Sequence, residues 1–159
     1  MKFDFVRTET SRFEEITDEE IEKAEKEMGF SFPKELVEFY REIGCGFTGS
    51  SFGSVNRLMD PIAVCDFRLR QYDFEFYPDI NAYDEYEENK LIFFEQNLSS
   101  LISIGIEGNA ESKIYYYDIE IASSLKEFLE KMIEDETYFS DDVIKELDER
   151  VRKSKEKSI

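Results

Sequence analysis

The chain has no histidine and no tryptophan, and only two cysteines and three prolines among its 159 residues. Without histidine, Ser-His-Asp and Cys-His catalytic arrangements cannot be assembled within the chain, and His-ligated zinc, copper or non-haem iron sites are excluded with them. Cys45 and Cys65 are too few for a four-thiolate site and make no CxxC pattern. They read as two small hydrophobes in a reducing compartment, not as a secreted disulfide framework. The N-terminal MKFDFVRTETSRFEE lacks the apolar core of a signal peptide, and no apolar run approaches the length of a membrane span. A cytoplasmic location is therefore expected. Cations are also scarce: 38 acidic residues stand against 20 basic ones, for a net charge of -18. Such a surface repels nucleic acid and anionic membrane, because each phosphate contact needs a cation. It attracts a basic partner and speeds the encounter, most of all at low salt. Solubility alone is the other reading of the same number.

What the chain does contain is a folding composition, 41% apolar and 15% aromatic, with fifteen Phe and nine Tyr. One core of large rings is affordable at this length, and a single domain over residues 1–159 is expected. Phe3 and Phe5 alternate with charges, which suits a short strand or an extended arm. The most legible stretch runs from Ile16 to Phe47. Thr17 as N-cap with Glu20 three residues on forms a capping box, with Ile21, Ala24 and Met28 on one face and Gly29 as the stop. Pro33 at a first turn opens a second helix. Its apolar face is Leu36, Val37, Phe39, Tyr40 and Ile43, with Phe30 and Phe32 pinning the two helices together. Gly44-Cys45-Gly46-Phe47-Thr48-Gly49 spells GxGxxG. A nucleotide loop needs a strand before that pattern and a helix after it. Here a helix precedes it and the Ser/Gly-rich Ser50 to Ser54 follows, so it reads as a helix cap and turn.

Asp60-Pro61 signals another helix start, with Ile62, Cys65 and Leu69 on one face; a strand from Ile62 to Phe67 is the alternative. From Tyr72 to Lys90 acidic residues interleave with Tyr and Phe. An EF-hand register from Asp79 fails: Asn81 fits, but Tyr83 falls on a ligand position, Asp84 replaces the turn glycine and Lys90 the bidentate Glu. The segment is read as a solvated loop or, functionally, a binding surface, since Tyr supplies contact area and carboxylates supply steering. A looser carboxylate site for magnesium or calcium is the third possibility. Leu91 to Phe94 reads as a buried strand. Leu101 to Ile106 alternates Ile102, Ile104 and Ile106, Gly108-Asn109 turns, and Lys113 to Tyr117 returns, an antiparallel meander with Leu98-Ser99-Ser100 as its first link. Ser123 or Ser124 caps a helix burying Leu125, Phe128, Leu129, Met132 and Ile133, with Glu127 and Lys131 one turn apart. Ser140-Asp141-Asp142 caps a last helix with Val143, Ile144, Leu147 and Val151 as its stripe. Its basic end, Arg150 to Lys157, reads as a solvated tail, with Glu146–Arg150 and Glu149–Lys153 as helix pairs.

The Ile16–Phe47 stretch resembles the signature of the SUKH superfamily, which includes the Smi/Knr-type cell-wall regulators. The matching residues are Ile21, Glu25, Met28, Gly29, Phe32, Pro33, Tyr40, Ile43, Gly44 and Gly46. Leu101-Ile102-Ser103-Ile104-Gly105 stands where the family has its central strand. Ala122, Ser124, Leu125, Glu127, Phe128 and Leu129 match its closing helix. The resemblance covers roughly residues 14–135, leaving 136–159 as a C-terminal helix and charged tail. It implies an α+β fold: N-terminal helices, a central mainly antiparallel sheet, and C-terminal helices packed on it. Many bacterial members are immunity proteins that bind a cognate polymorphic toxin, often a basic nuclease domain, and occlude its active surface. The resemblance carries over no catalytic residue; no enzyme activity, cofactor or metal is expected, and no nucleic-acid or membrane partner. The contact region expected from local composition is Asp73, Glu75, Tyr77, Asp79, Tyr83, Asp84, Glu85, Tyr86, Glu87 and Glu88. The competing readings are a regulatory scaffold without a toxin, a carboxylate enzyme using a divalent ion, and a nucleic-acid mimic with several basic targets. Oligomeric state is left open.

Overall fold

Helix starts follow the side chains that close them. A computed structural model describes residues 1–49, 55–97 and 100–157; Ser50 to Ser54 and the Leu98-Ser99 link lie outside them. Helix α1 (Asp18–Met28) opens where the Thr17 hydroxyl accepts the Glu20 N–H at 3.2 Å, and it stops at Gly29 in the left-handed region. The Glu25 carboxylate accepts the Phe32 N–H at 2.7 Å and so fixes the entry to α2 (Lys34–Glu42). Pro33 is the residue just before that helix, one position earlier than expected. Phe32 meets Tyr40 edge-on at 5.7 Å, while Phe30 is half-buried under the Arg68 guanidinium. Helix α3 (Pro61–Leu69) begins where Asp60 accepts the Ala63 N–H at 3.1 Å. Its expected single face does not hold: Pro61, Val64, Cys65 and Phe67 are buried, Ile62 is half-buried and Leu69 is exposed. The helix packs on both α1 and the sheet, so more than one of its sides is covered.

The sheet has seven strands, each hydrogen-bonded to the next in chain order and antiparallel throughout. They are β1 (Arg12–Glu14), β2 (Cys45–Phe47), β3 (Asn56–Leu58), β4 (Lys90–Gln96), β5 (Ser100–Gly105), β6 (Ile114–Tyr116) and β7 (Ile119–Ala122). The predicted meander is β4 to β6. The other four have three or four residues each, too short for an alternating pattern to register. The N-terminal arm is neither strand nor extended: a 3₁₀ turn at Asp4–Val6 buries Phe3 edge-on to Phe39, ring centroids 5.1 Å apart. The GxGxxG segment contributes β2 instead of ending in a turn. A Cβ on Gly44 would stand 1.8 Å from the Glu14 carbonyl oxygen and one on Gly46 2.2 Å from that of Arg12, so both glycines serve the close approach of β1.

Strand β5 is buried on both faces, Leu101 and Ser103 included, where one inward face was expected. A register shift between Ile92 and Phe94 in β4 breaks the usual alternation, and consecutive Phe93 and Phe94 both meet Phe128 of α4 (Leu125–Glu134). Ser124 caps α4, and Glu127 pairs with Lys131 at 3.1 Å. Leu125, Phe128, Leu129 and Met132 turn inward, but Ile133 is exposed. The buried Glu35 of α2 accepts the Leu125 N–H at 2.6 Å and the Lys126 N–H at 3.3 Å, a carboxylate seated on the positive end of α4 with Lys2 3.0 Å away. Helix α5 (Ser140–Lys157) departs most from expectation: of its predicted stripe only Val143 is buried, and Ile144, Leu147 and Val151 are exposed. No helix among the described residues is long and apolar enough to cross a membrane.

Candidate partner-binding surface

The acidic segment after α3 is organised from beneath by one ring. Phe67, buried near the end of α3, receives Phe74 at 5.2 Å, Tyr77 at 5.7 Å and Tyr83 at 6.1 Å, all edge-on. Tyr83 in turn stacks on Tyr117 from the β6–β7 turn, centroids 5.3 Å apart and planes 6° from parallel. Tyr86 meets that same Tyr117 edge-on at 5.2 Å. Edge-on and offset ring pairs of this kind add to the area they bury. Burial first, then the Tyr117 hydroxyl, holds the Tyr83 phenol protonated well above its ordinary range. The backbone between these anchors is a 3₁₀ turn at Tyr72–Phe74 and a longer one at Ile80–Tyr86. Arg70, Tyr72 and Asp79 all adopt left-handed φ without being glycine. Each costs about 1 kcal/mol, offset by the ring packing and the ion pairs.

Two arginines at the end of α3 tie the segment down. Arg70 donates to Asp84 at 2.8 Å, to the Phe67 carbonyl at 2.7 Å, and to the Glu87 carboxylate. Arg68 donates to the Lys90 carbonyl at 2.7 Å and to the carbonyl of Glu87, while its guanidinium lies over the Phe30 ring. The two members of the Arg70–Glu87 pair respond differently. Burial pulls the Arg70 pKa down but Glu87 and Asp84 outweigh it, so the net shift is upward. Glu87 lies deeper, and there burial outweighs Arg70 and raises the carboxyl above its ordinary value.

The ten residues expected from composition therefore separate into layers. Asp73, Glu75, Asp79, Asp84, Glu85 and Glu88 are exposed, Tyr77 and Tyr86 are half-buried, and Tyr83 and Glu87 are buried. The loop is not a uniformly solvated one: Tyr83 is a packing residue and Glu87 an internal ion-pair partner, so neither presents its side chain outward. Two residues outside the expected set stand at the surface instead. Tyr72 is 75% exposed and Phe76 88% exposed, flanked by Asp73 and Glu75. Large rings held in water beside carboxylates are what contact surfaces use. The sequence held no signal for this: in an alternating segment Phe74 and Phe76 would share one face, and it is the 3₁₀ turn at Tyr72–Phe74 that turns them apart. Glu27, Cys65 and Asp66 bring three possible ligand atoms within 4.8 Å of one another. Those atoms are already engaged: Glu27 accepts from the Cys65 thiol and from Gln71, and Gln71 also donates to Asp66 at 2.9 Å. Burial, then Glu27, pushes the thiol up to about 12, away from the thiolate a metal needs.

An α+β scaffold with a seven-stranded antiparallel meander among the described residues displays an acidic rim and the exposed rings of Tyr72 and Phe76. The chain belongs to the SUKH_6 family, described as SMI1-KNR4 cell-wall, whose profile matches residues 18–129. A relative, "Immunity protein YxxD" of Bacillus subtilis (strain 168), is 49% identical over 142 residues, covering 89% of this chain and 97% of the relative. No solved structure matches the chain.

Proposed function

We propose that this chain is an immunity protein, a non-catalytic domain that binds a cognate protein toxin and neutralises it by covering the toxin's active surface. The observation that carries the reading is the 49% identity, over nearly the whole of both chains, to a protein named for immunity. The charge of -18 favours a basic partner surface, and a nuclease domain, built to hold phosphates, has one. The contacts are placed on the exposed part of the acidic segment: Asp73, Glu75, Asp79, Asp84, Glu85 and Glu88 for steering, and Tyr72 and Phe76 for anchorage, with Tyr77 and Tyr86 at the rim. Reading the neighbouring genes for a toxin domain and co-expressing that domain with this chain tests it. Restored growth and co-purification of the two chains are expected; unrelieved toxicity with soluble immunity chain contradicts it. The family description keeps a second reading in view, a cell-wall regulatory scaffold with no toxin partner. Relief of toxicity separates the two.

A further inference from the structure

Helix α5 is long, regular and barely supported. Of its 18 residues only Val143 is buried, and from Val151 to Lys157 every residue is exposed. Arg150 also donates to both oxygens of Asp118, at 3.0 and 3.1 Å. A helix of this length has little stability of its own in water and depends on covering an apolar face. Beyond Val143 its apolar stripe is left about half open: Ile144 is 56%, Leu147 45% and Val151 54% exposed. At helical spacing these three form one stripe, beside the side that carries Val143 and Arg150.

The charges along the helix say what covers the stripe. Residues 140–149 hold five acids against one base, and residues 150–157 hold five bases against one acid. A basic partner is repelled by the second half and an acidic one by the first. The same helix running the opposite way complements both halves at once. The border of the stripe repeats the pattern, since Asp148 and Arg152 both flank Ile144 on the same side. A two-fold axis through the stripe sets that border against itself in reverse, bringing Asp148 of each copy towards Arg152 of the other.

We infer that α5 is a self-association surface, and that two copies of this chain pair antiparallel through Ile144, Leu147 and Val151. With three apolar side chains from each copy the interface is small, and the dimer is weak and concentration-dependent. The family profile matches residues 18–129 and so does not cover α5.

Sedimentation equilibrium of the full chain, from about 1 µM to about 500 µM, reads the association directly. The expected mass climbs from 18.9 kDa towards twice that value. Leu147→Asp is expected to remain monomeric throughout with unchanged helical circular dichroism. Asp148→Lys and Arg152→Glu each weaken self-association at least tenfold, and an equimolar mixture of the two recovers it as a heterodimer. A wild-type chain that stays monomeric over the whole range overturns the inference. So does a dimer indifferent to Leu147→Asp, or charge variants that fail to restore each other.

Discussion

The acidic segment 72–89 and helix α5 are both rich in charge, yet they are held in opposite ways. In the first, irregular backbone is clamped by a ring cluster on Phe67 and by two arginines, so its fixed shape comes from tertiary contacts. In the second, regular backbone is tied to the body through buried Val143 and the Arg150–Asp118 pair, and Ile144, Leu147 and Val151 stay about half exposed. Regularity is thus a poor guide to rigidity here. A preorganised loop loses less entropy on meeting a partner than a free one does, which suits the irregular region to the docking role proposed for it and leaves α5 to the self-association inferred above.

If that contrast holds, the largest effect comes from Phe67→Ala, which removes the ring beneath Phe74, Tyr77 and Tyr83 and should cost about 3–5 kcal/mol in denaturant-melt stability. The matching change on α5, Leu147→Ser, should cost far less, about 0.5–1 kcal/mol in dilute solution, because the side chain is already 45% exposed. Equal losses would erase the distinction between the two regions. Phe76→Ala should leave stability unchanged and weaken toxin binding by about 2 kcal/mol, roughly 30-fold in Kd by calorimetry. A subtler effect concerns Glu87. Its folded pKa is raised, so the stability linked to its protonation is fully present below the ordinary carboxyl value and is lost as pH rises through the raised one. Across that window wild-type melting temperature should fall relative to Glu87→Gln; parallel profiles for the two proteins would show that the pair with Arg70 cancels the burial cost.

The same contrast explains what could be read from the chain in advance. Ends of α1 and α3 are visible in the sequence because Thr17, Gly29 and Asp60-Pro61 act on backbone groups a few residues away. Strands β1, β2 and β3 are invisible because three residues carry no period, and what places them is the close approach across Gly44 and Gly46. Composition located the acidic surface but not its layering. Tyr83 is interior because Tyr117, 34 positions along, stacks on it, and Glu87 because Arg70 reaches it, and neither contact leaves a local trace. On α5 the helical period was plain, but a stripe states only that something covers it, not that its own sheet does.

Steering of a basic partner by the exposed carboxylates of 72–89 is tested most directly by stopped-flow association with the purified toxin domain over a range of ionic strength. For Asp73→Lys/Glu75→Lys/Glu88→Lys the expected on-rate is at least about tenfold slower at low salt, with a flatter dependence on ionic strength and stability unchanged. An on-rate and salt dependence equal to those of the wild-type chain would contradict it and place the interface elsewhere.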